Sequence, residues 1–212
     1  MRKFVICVLL VSGICCAASK PHSVTFGKWT QIELMGEGGQ PVELKIRALI
    51  VDGRTKEFVA GPPHEVTERT FVVQRVFRLN DSLPQEPGKI RWQWQRGGWL
   101  FTDRLSGKVQ PVSLSDFDPE VSSVNWFRDY AAYCGISDDG KKTFAMVSQL
   151  GRRKPLLKRT LVTSPEMKSE ICPAPAWERG PVRVVFQPGG GEKFSYEVRS
   201  RTVDVVEEEG EE

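Results

Sequence analysis

Apolar and charged residues alternate without a break over Val42-Glu43-Leu44-Lys45-Ile46-Arg47. Ile90-Arg91-Trp92-Gln93-Trp94-Gln95 does the same, with Ile90, Trp92 and Trp94 on one side and Arg91, Gln93 and Gln95 on the other. Phe194-Ser195-Tyr196-Glu197-Val198-Arg199 repeats the scheme near the end. In an extended chain successive side chains point to opposite faces, so a period of two predicts strands with one buried and one wet face. Helical spacing is scarce; only Pro119 to Phe127 offers one or two turns, with Asp118 as the cap. Turn signals punctuate the strands at Asp52-Gly53, Arg96-Gly97-Gly98, Ser106-Gly107 and Asp138-Asp139-Gly140, where glycine permits the positive φ of a tight hairpin. Arg96-Gly97-Gly98 is read as the turn between the Trp92/Trp94 strand and a next strand starting at Trp99.

Irregular connections are expected at Gly36–Pro41, at Gly61-Pro62-Pro63, over Ser82–Gly88, and over Thr163–Pro181, the longest. The pattern predicts ten to twelve strands and an all-β fold, a single antiparallel sandwich or barrel-like domain with at most one or two short helices.

The first residues follow a different rule. Met1-Arg2-Lys3 is positive, Phe4 to Cys16 is uncharged and mostly apolar, and Ala17-Ala18-Ser19 is small. Positive start, short apolar core and small-residue exit predict a cleavable export signal over 1–19, too short to span a bilayer. A lipid-anchored variant would want a small residue before the modified cysteine, where Ile14 and Cys15 stand. The domain then covers 20–206, and 207–212, five glutamates and a glycine, is expected to be a disordered acidic tail. Localisation is expected to be secreted or periplasmic, with no transmembrane segment after signal removal.

Losing Arg2 and Lys3 leaves 28 basic against 27 acidic residues, near neutrality, which argues against nucleic acid as a partner. Arg152-Arg153-Lys154 and Lys158-Arg159 read as a solvated hairpin or loop before they read as an anion site. Cys7, Cys15 and Cys16 leave with the signal, so Cys134 and Cys172 remain. Two cysteines in an oxidising compartment predict one disulfide, which would tie the Thr163–Pro181 stretch to the sheet.

Between Gly98 and Gly151, Trp99 to Lys108 and then Trp126 to Lys141 form Trp-led strands closed by "SGK" and "DDGKK" turns. These hairpins resemble the blade strands of β-propellers, although 193 mature residues with one or two such stretches do not fill a closed ring of at least four blades. As a whole the chain resembles exported proteins of acidobacterial soil bacteria, through Arg91 to Gln95, Trp99 to Gly107 and Arg128 to Gly135. That resemblance implies export and brings no activity.

A search for chemistry finds no phosphate loop, dinucleotide fingerprint, zinc-protease helix or nucleophile elbow. His22 and His64 are the only histidines, and neither lies at metal-ligand spacing from a cysteine. His64 reads as an ordinary loop histidine, and Asp138/Asp139 as turn residues. No catalytic residue, metal or cofactor is assigned. Trp92, Trp94 and Trp99 are the candidate ligand-binding residues, as core aromatics or as an exposed stacking platform for sugar or peptide. The expected function is a non-catalytic exported binding or structural module with a protein or glycan partner. The alternative is a carbohydrate-binding or carbohydrate-active domain that uses these tryptophans with nearby carboxylates.

Overall fold

The computed structural model describes residues 21–36, 39–85, 88, 90–163, 173–188 and 192–198. The expected signal (1–19), the acidic tail (207–212) and Cys172 lie outside the described residues. Within them the chain is all-β, and no helix is present that is long and apolar enough to cross a membrane.

The first sheet holds β1 (Val24–Phe26), β2 (Thr30–Met35), β3 (Pro41–Val51), β4 (Arg54–Glu65), β5 (Thr70–Asn80), β6 (Trp92–Asp103) and β7 (Lys108–Val112). Strands β2 to β6 run as an antiparallel meander whose ends meet in one parallel pairing, Leu34 opposite Trp94. A meander of five strands has its first and last strands pointing the same way, so the closing contact must be parallel. Closure at a single residue pair makes a ring of strands and not a true barrel.

The long strands serve two neighbours on one edge. Along β3, β2 takes residues 41–46 and β1 takes residues 49–51. Along β6, β2 takes Trp94 and β7 takes residues 99–103. Register shifts at Leu49/Ile50, Ala60/His64 and Gln74/Val76 bend and twist the strands where these neighbours change.

The second sheet has the order β11 (Leu157–Thr163), β10 (Lys142–Gln149), β9 (Tyr130–Ile136), β8 (Asn125–Phe127). The third is β12 (Ala176–Arg179), β13 (Val182–Phe186), β14 (Phe194–Glu197). Both are antiparallel throughout.

The cores show how the sheets stack. Val72, Trp99, Phe101 and Val112 of the first sheet pack on Trp126, Ala131, Tyr133, Phe144 and Met146 of the second. The opposite face of the second sheet, with Ala132, Ala145 and Val147, packs on Trp177, Val184, Phe186 and Tyr196 of the third. The middle sheet is therefore buried on both faces. Its strands accordingly read as near-continuous small and apolar runs, Ala131-Ala132-Tyr133-Cys134-Gly135 and Phe144-Ala145-Met146-Val147, and not as alternation. Two further clusters, around Leu49, Val59 and Phe71 and around Ile46, Ala60 and Val76, fill the first sheet.

Several expectations are corrected. Among the described residues fourteen strands replace ten to twelve, with β12 inside the stretch expected to be irregular. Residues 119–127 form no helix: the Ser122 amide donates to the Asp118 carbonyl at 2.8 Å, and that single turn is not continued. The Ser122 hydroxyl instead accepts from the Asp118 amide and donates to the Cys134 carbonyl at 2.7 Å, so the side chain competes for the backbone. Gly97-Gly98 is not a hairpin turn; β6 runs straight through it, with two residues bulged opposite Arg75. A Cβ on Gly97 would come within 3.2 Å of the Phe77 ring, which explains why glycine stands at the bulge. Gly61-Pro62-Pro63 lies within β4, at its bulge, where proline's missing N–H is tolerated.

Tyr133 is fully buried, and its hydroxyl donates to the Ser115 carbonyl at 2.9 Å and meets Ser148 Oγ at 3.2 Å. Burial, the main cause, pushes its phenol up to about 12. A phenol whose folded pKa is raised favours the folded state below about pH 10, its ordinary value, and loses that contribution as pH rises toward about 12. We expect Tyr133→Phe to cost about 1–2 kcal/mol at neutral pH, through the orphaned carbonyl, and to flatten the fall in stability above pH 10. Denaturant melts from neutral to alkaline pH check this; an unchanged alkaline slope would contradict it.

Candidate functional site

Between the first and second sheets, beside the Trp126 cluster, lies a cleft of about 870 Å³. One wall comes from Phe101 on β6 and from Gln110, Pro111 and Val112 on β7, continuing through Ser113 and Leu114. The other comes from Trp126, Ala131 and Ser148, and the turn after β10, Gln149 to Arg153, forms the lip. Phe101, Val112, Leu114, Trp126 and Ala131 make the lining mostly apolar, within the volume range of small-molecule sites.

The lip is held in place. Gln149 Nε2 donates to Asp129 Oδ2 at 2.8 Å, and the Leu150 amide donates to the Asp129 carbonyl at 2.9 Å. Arg152 and Arg153 are exposed at the mouth, and neither pairs with a carboxylate among the described residues. The Tyr130 phenol is raised chiefly by burial, with the Asp129 charge adding and the Arg128 and Arg152 charges opposing. Trp126, only 8% exposed, keeps an indole N–H that is buried and meets no acceptor among the described residues.

His64 is on β4 and not on a loop. It stacks on Trp126 with ring centroids 6.1 Å apart, and its Nε2 donates to the Arg128 carbonyl at 2.8 Å. It thus clamps the β8–β9 turn to the first sheet. Asp118 accepts from the Glu120 amide, and Asp139 accepts from Ser137 and Lys141, both as turn residues. Asp116 receives Lys158 Nζ at 2.9 Å, which orders part of the basic run. Among the described residues no three of His, Cys, Asp and Glu gather where they could hold a metal ion.

The three predicted tryptophans share one face of β6. Trp92, Trp94 and Trp99 stand opposite Asn80, Arg78 and Gln74, and the bulge between them restores the parity that the odd spacing would break. They do not meet one another in a ring contact. Trp92 is 59% exposed; Trp94 packs edge-on to Phe58 at 5.3 Å under the Arg78 guanidinium; Trp99 packs edge-on to Trp126 at 5.3 Å in the wall between the sheets.

Cys134 is 5% exposed on β9, opposite Ala145 of β10. No disulfide joins two described cysteines, and Cys172 lies outside the described residues. No protein-family model, curated protein or solved structure matches the chain.

Proposed function

We propose that this chain is an exported, non-catalytic binding module whose ligand occupies the cleft between the first two sheets. The observation that carries the reading is an apolar floor ending at Arg152 and Arg153, two exposed cations without a carboxylate partner among the described residues. An arginine fork at the open end of an apolar slot suits a slender or planar apolar group that carries a carboxylate or sulfonate. An added peptide strand suits it less. The outer edge of β7 carries Pro111, whose nitrogen has no hydrogen to donate to a new strand. Export, the likeness to acidobacterial exported proteins and the Cys134–Cys172 bond belong to the same proposal.

Fluorescence of anilinonaphthalene sulfonate with the full chain tests the reading. Dodecanoate should displace the dye, and methyl dodecanoate, which lacks the charge, should displace it about tenfold less well. Substituting Arg152→Gln and Arg153→Gln together should erase the difference between acid and ester. Equal competition by acid and ester in the unaltered chain would sink the proposal.

A further inference from the structure

The indole that the structure braces on one face and leaves open on the other is Trp29, outside the predicted trio. It ends the link between β1 and β2 and keeps 49% of its surface open. Arg47 of β3 lies between two rings, its guanidinium carbon 3.9 Å from the centroid of Phe26 and 4.4 Å from that of Trp29. Arg47 Nε is buried and meets no acceptor among the described residues, and the guanidinium lies against these two π-faces. The link is fastened as well: the Gly27 amide donates to the Ala48 carbonyl at 2.8 Å, and a Cβ on Gly27 would stand 3.3 Å from Ala48 Cβ. Trp29 is thus braced on one side and open on the other.

Beside it is a shallow cavity of about 680 Å³ that also takes in Thr30, Gln31 and Lys45. Gln31 and Lys45 face each other across β2 and β3, and the pair Glu33 and Glu43 follows two residues along, on the same face. The cavity beside the platform therefore offers the exposed amide of Gln31 and ammonium of Lys45 around Leu44, with the exposed Glu33 and Glu43 one pair further along that face. A pyranose ring needs such a place. Its C–H face lies on an aromatic ring, while its hydroxyls, each a donor and an acceptor, need both kinds of partner at the edge. The glutamates disfavour an acidic ligand, and the polar rim disfavours a purely apolar one.

We propose that Trp29, with Gln31 and Lys45, is a glycan subsite that takes one neutral hexose or pentose ring of an oligosaccharide. It shares no lining residue with the cleft between the sheets, so the two sites stand or fall separately.

Isothermal titration of the full chain with cellohexaose, xylohexaose and maltohexaose tests it. At least one should bind; Trp29→Ala should weaken that binding by about tenfold or more, and Gln31→Ala by about threefold. The Arg152→Gln/Arg153→Gln chain should bind the sugar unchanged. Gln31 is exposed, so its variant decides the matter should Trp29→Ala lose its fold by circular dichroism. Absence of binding for all three hexaoses, or sugar binding untouched by these substitutions, would overturn the subsite.

Discussion

Trp126→Ala should lower the stability of the chain by about 3–5 kcal/mol, the range for deleting a large buried aromatic side chain. The indole touches both sides of the main interface at once. It lies in the cluster that joins Val72, Trp99 and Phe101 to Tyr133, Phe144 and Met146, edge-on to Trp99 and stacked on His64. Partial offset comes from its buried N–H, which meets no acceptor among the described residues and whose removal ends that penalty. Trp126→Phe should for that reason cost distinctly less than alanine. Guanidinium melts followed by circular dichroism give both numbers. A loss below about 1 kcal/mol for the alanine variant would mean that the two sheets do not depend on this contact.

The second large effect concerns Cys134. We expect Cys134→Ser and Cys172→Ser each to cost about 2–5 kcal/mol, and the double variant no more than either, because one bond is lost only once. Cys134 is buried opposite Ala145 and shares its side of β9 with Ala132, which packs on the third sheet. The described chain resumes at Pro173, and the Pro175 carbonyl accepts from Asn125 Nδ2 at 2.9 Å. Asn125 pairs with Ala132, two residues from Cys134 on the same strand. Two residues, Pro173 and Ala174, separate Cys172 from Pro175, and the three steps span at most about 10 Å, so the geometry of the described part admits the bond. Thiol counting on denatured, unreduced protein decides: two free thiols from Cys134 and Cys172 would end the proposal.

Local patterns carried the strands and failed at the places where one strand does two things. The alternation over Val42–Arg47 falls inside β3, and Asp52-Gly53 turns β3 into β4 with φ of 52° and 74°. The Gly97-Gly98 pair carries the same signal as a turn, yet here it absorbs a bulge, because β5 continues opposite it as far as Asn80. Only the partner strand distinguishes the two cases. The tryptophans show the same limit: the pattern places Trp92 and Trp94 on one face and Trp99 on a following strand, whereas the bulge keeps all three on one face of β6, which turns into the ring near Trp94 and toward the second sheet at Trp99. The cleft was invisible, since its walls come from β6 and β7 on one side and from β8 to the turn after β10 on the other, and Arg152-Arg153 alone reads as a solvated turn. Trp29 carries a usable signal, an aromatic between Lys28 and Thr30 with no adjacent apolar residue, but a single aromatic in that setting does not tell a platform from a packed side chain.

The double burial of the middle sheet also sets where the sequence can change. A side chain on an outer sheet that grows by a methyl group can lean toward water. Ala131, Ala132, Ala145 and Gly135 have no such direction: a Cβ on Gly135 would already stand 3.0 Å from the Asp116 backbone and from Met146. Drift should therefore be slowest over residues 131–135 and 144–147, and those two short runs should outlast the rest of the chain as the signature by which distant descendants are recognised. Length variation belongs instead at Asp138-Asp139-Gly140, an exposed turn where one more residue meets nothing.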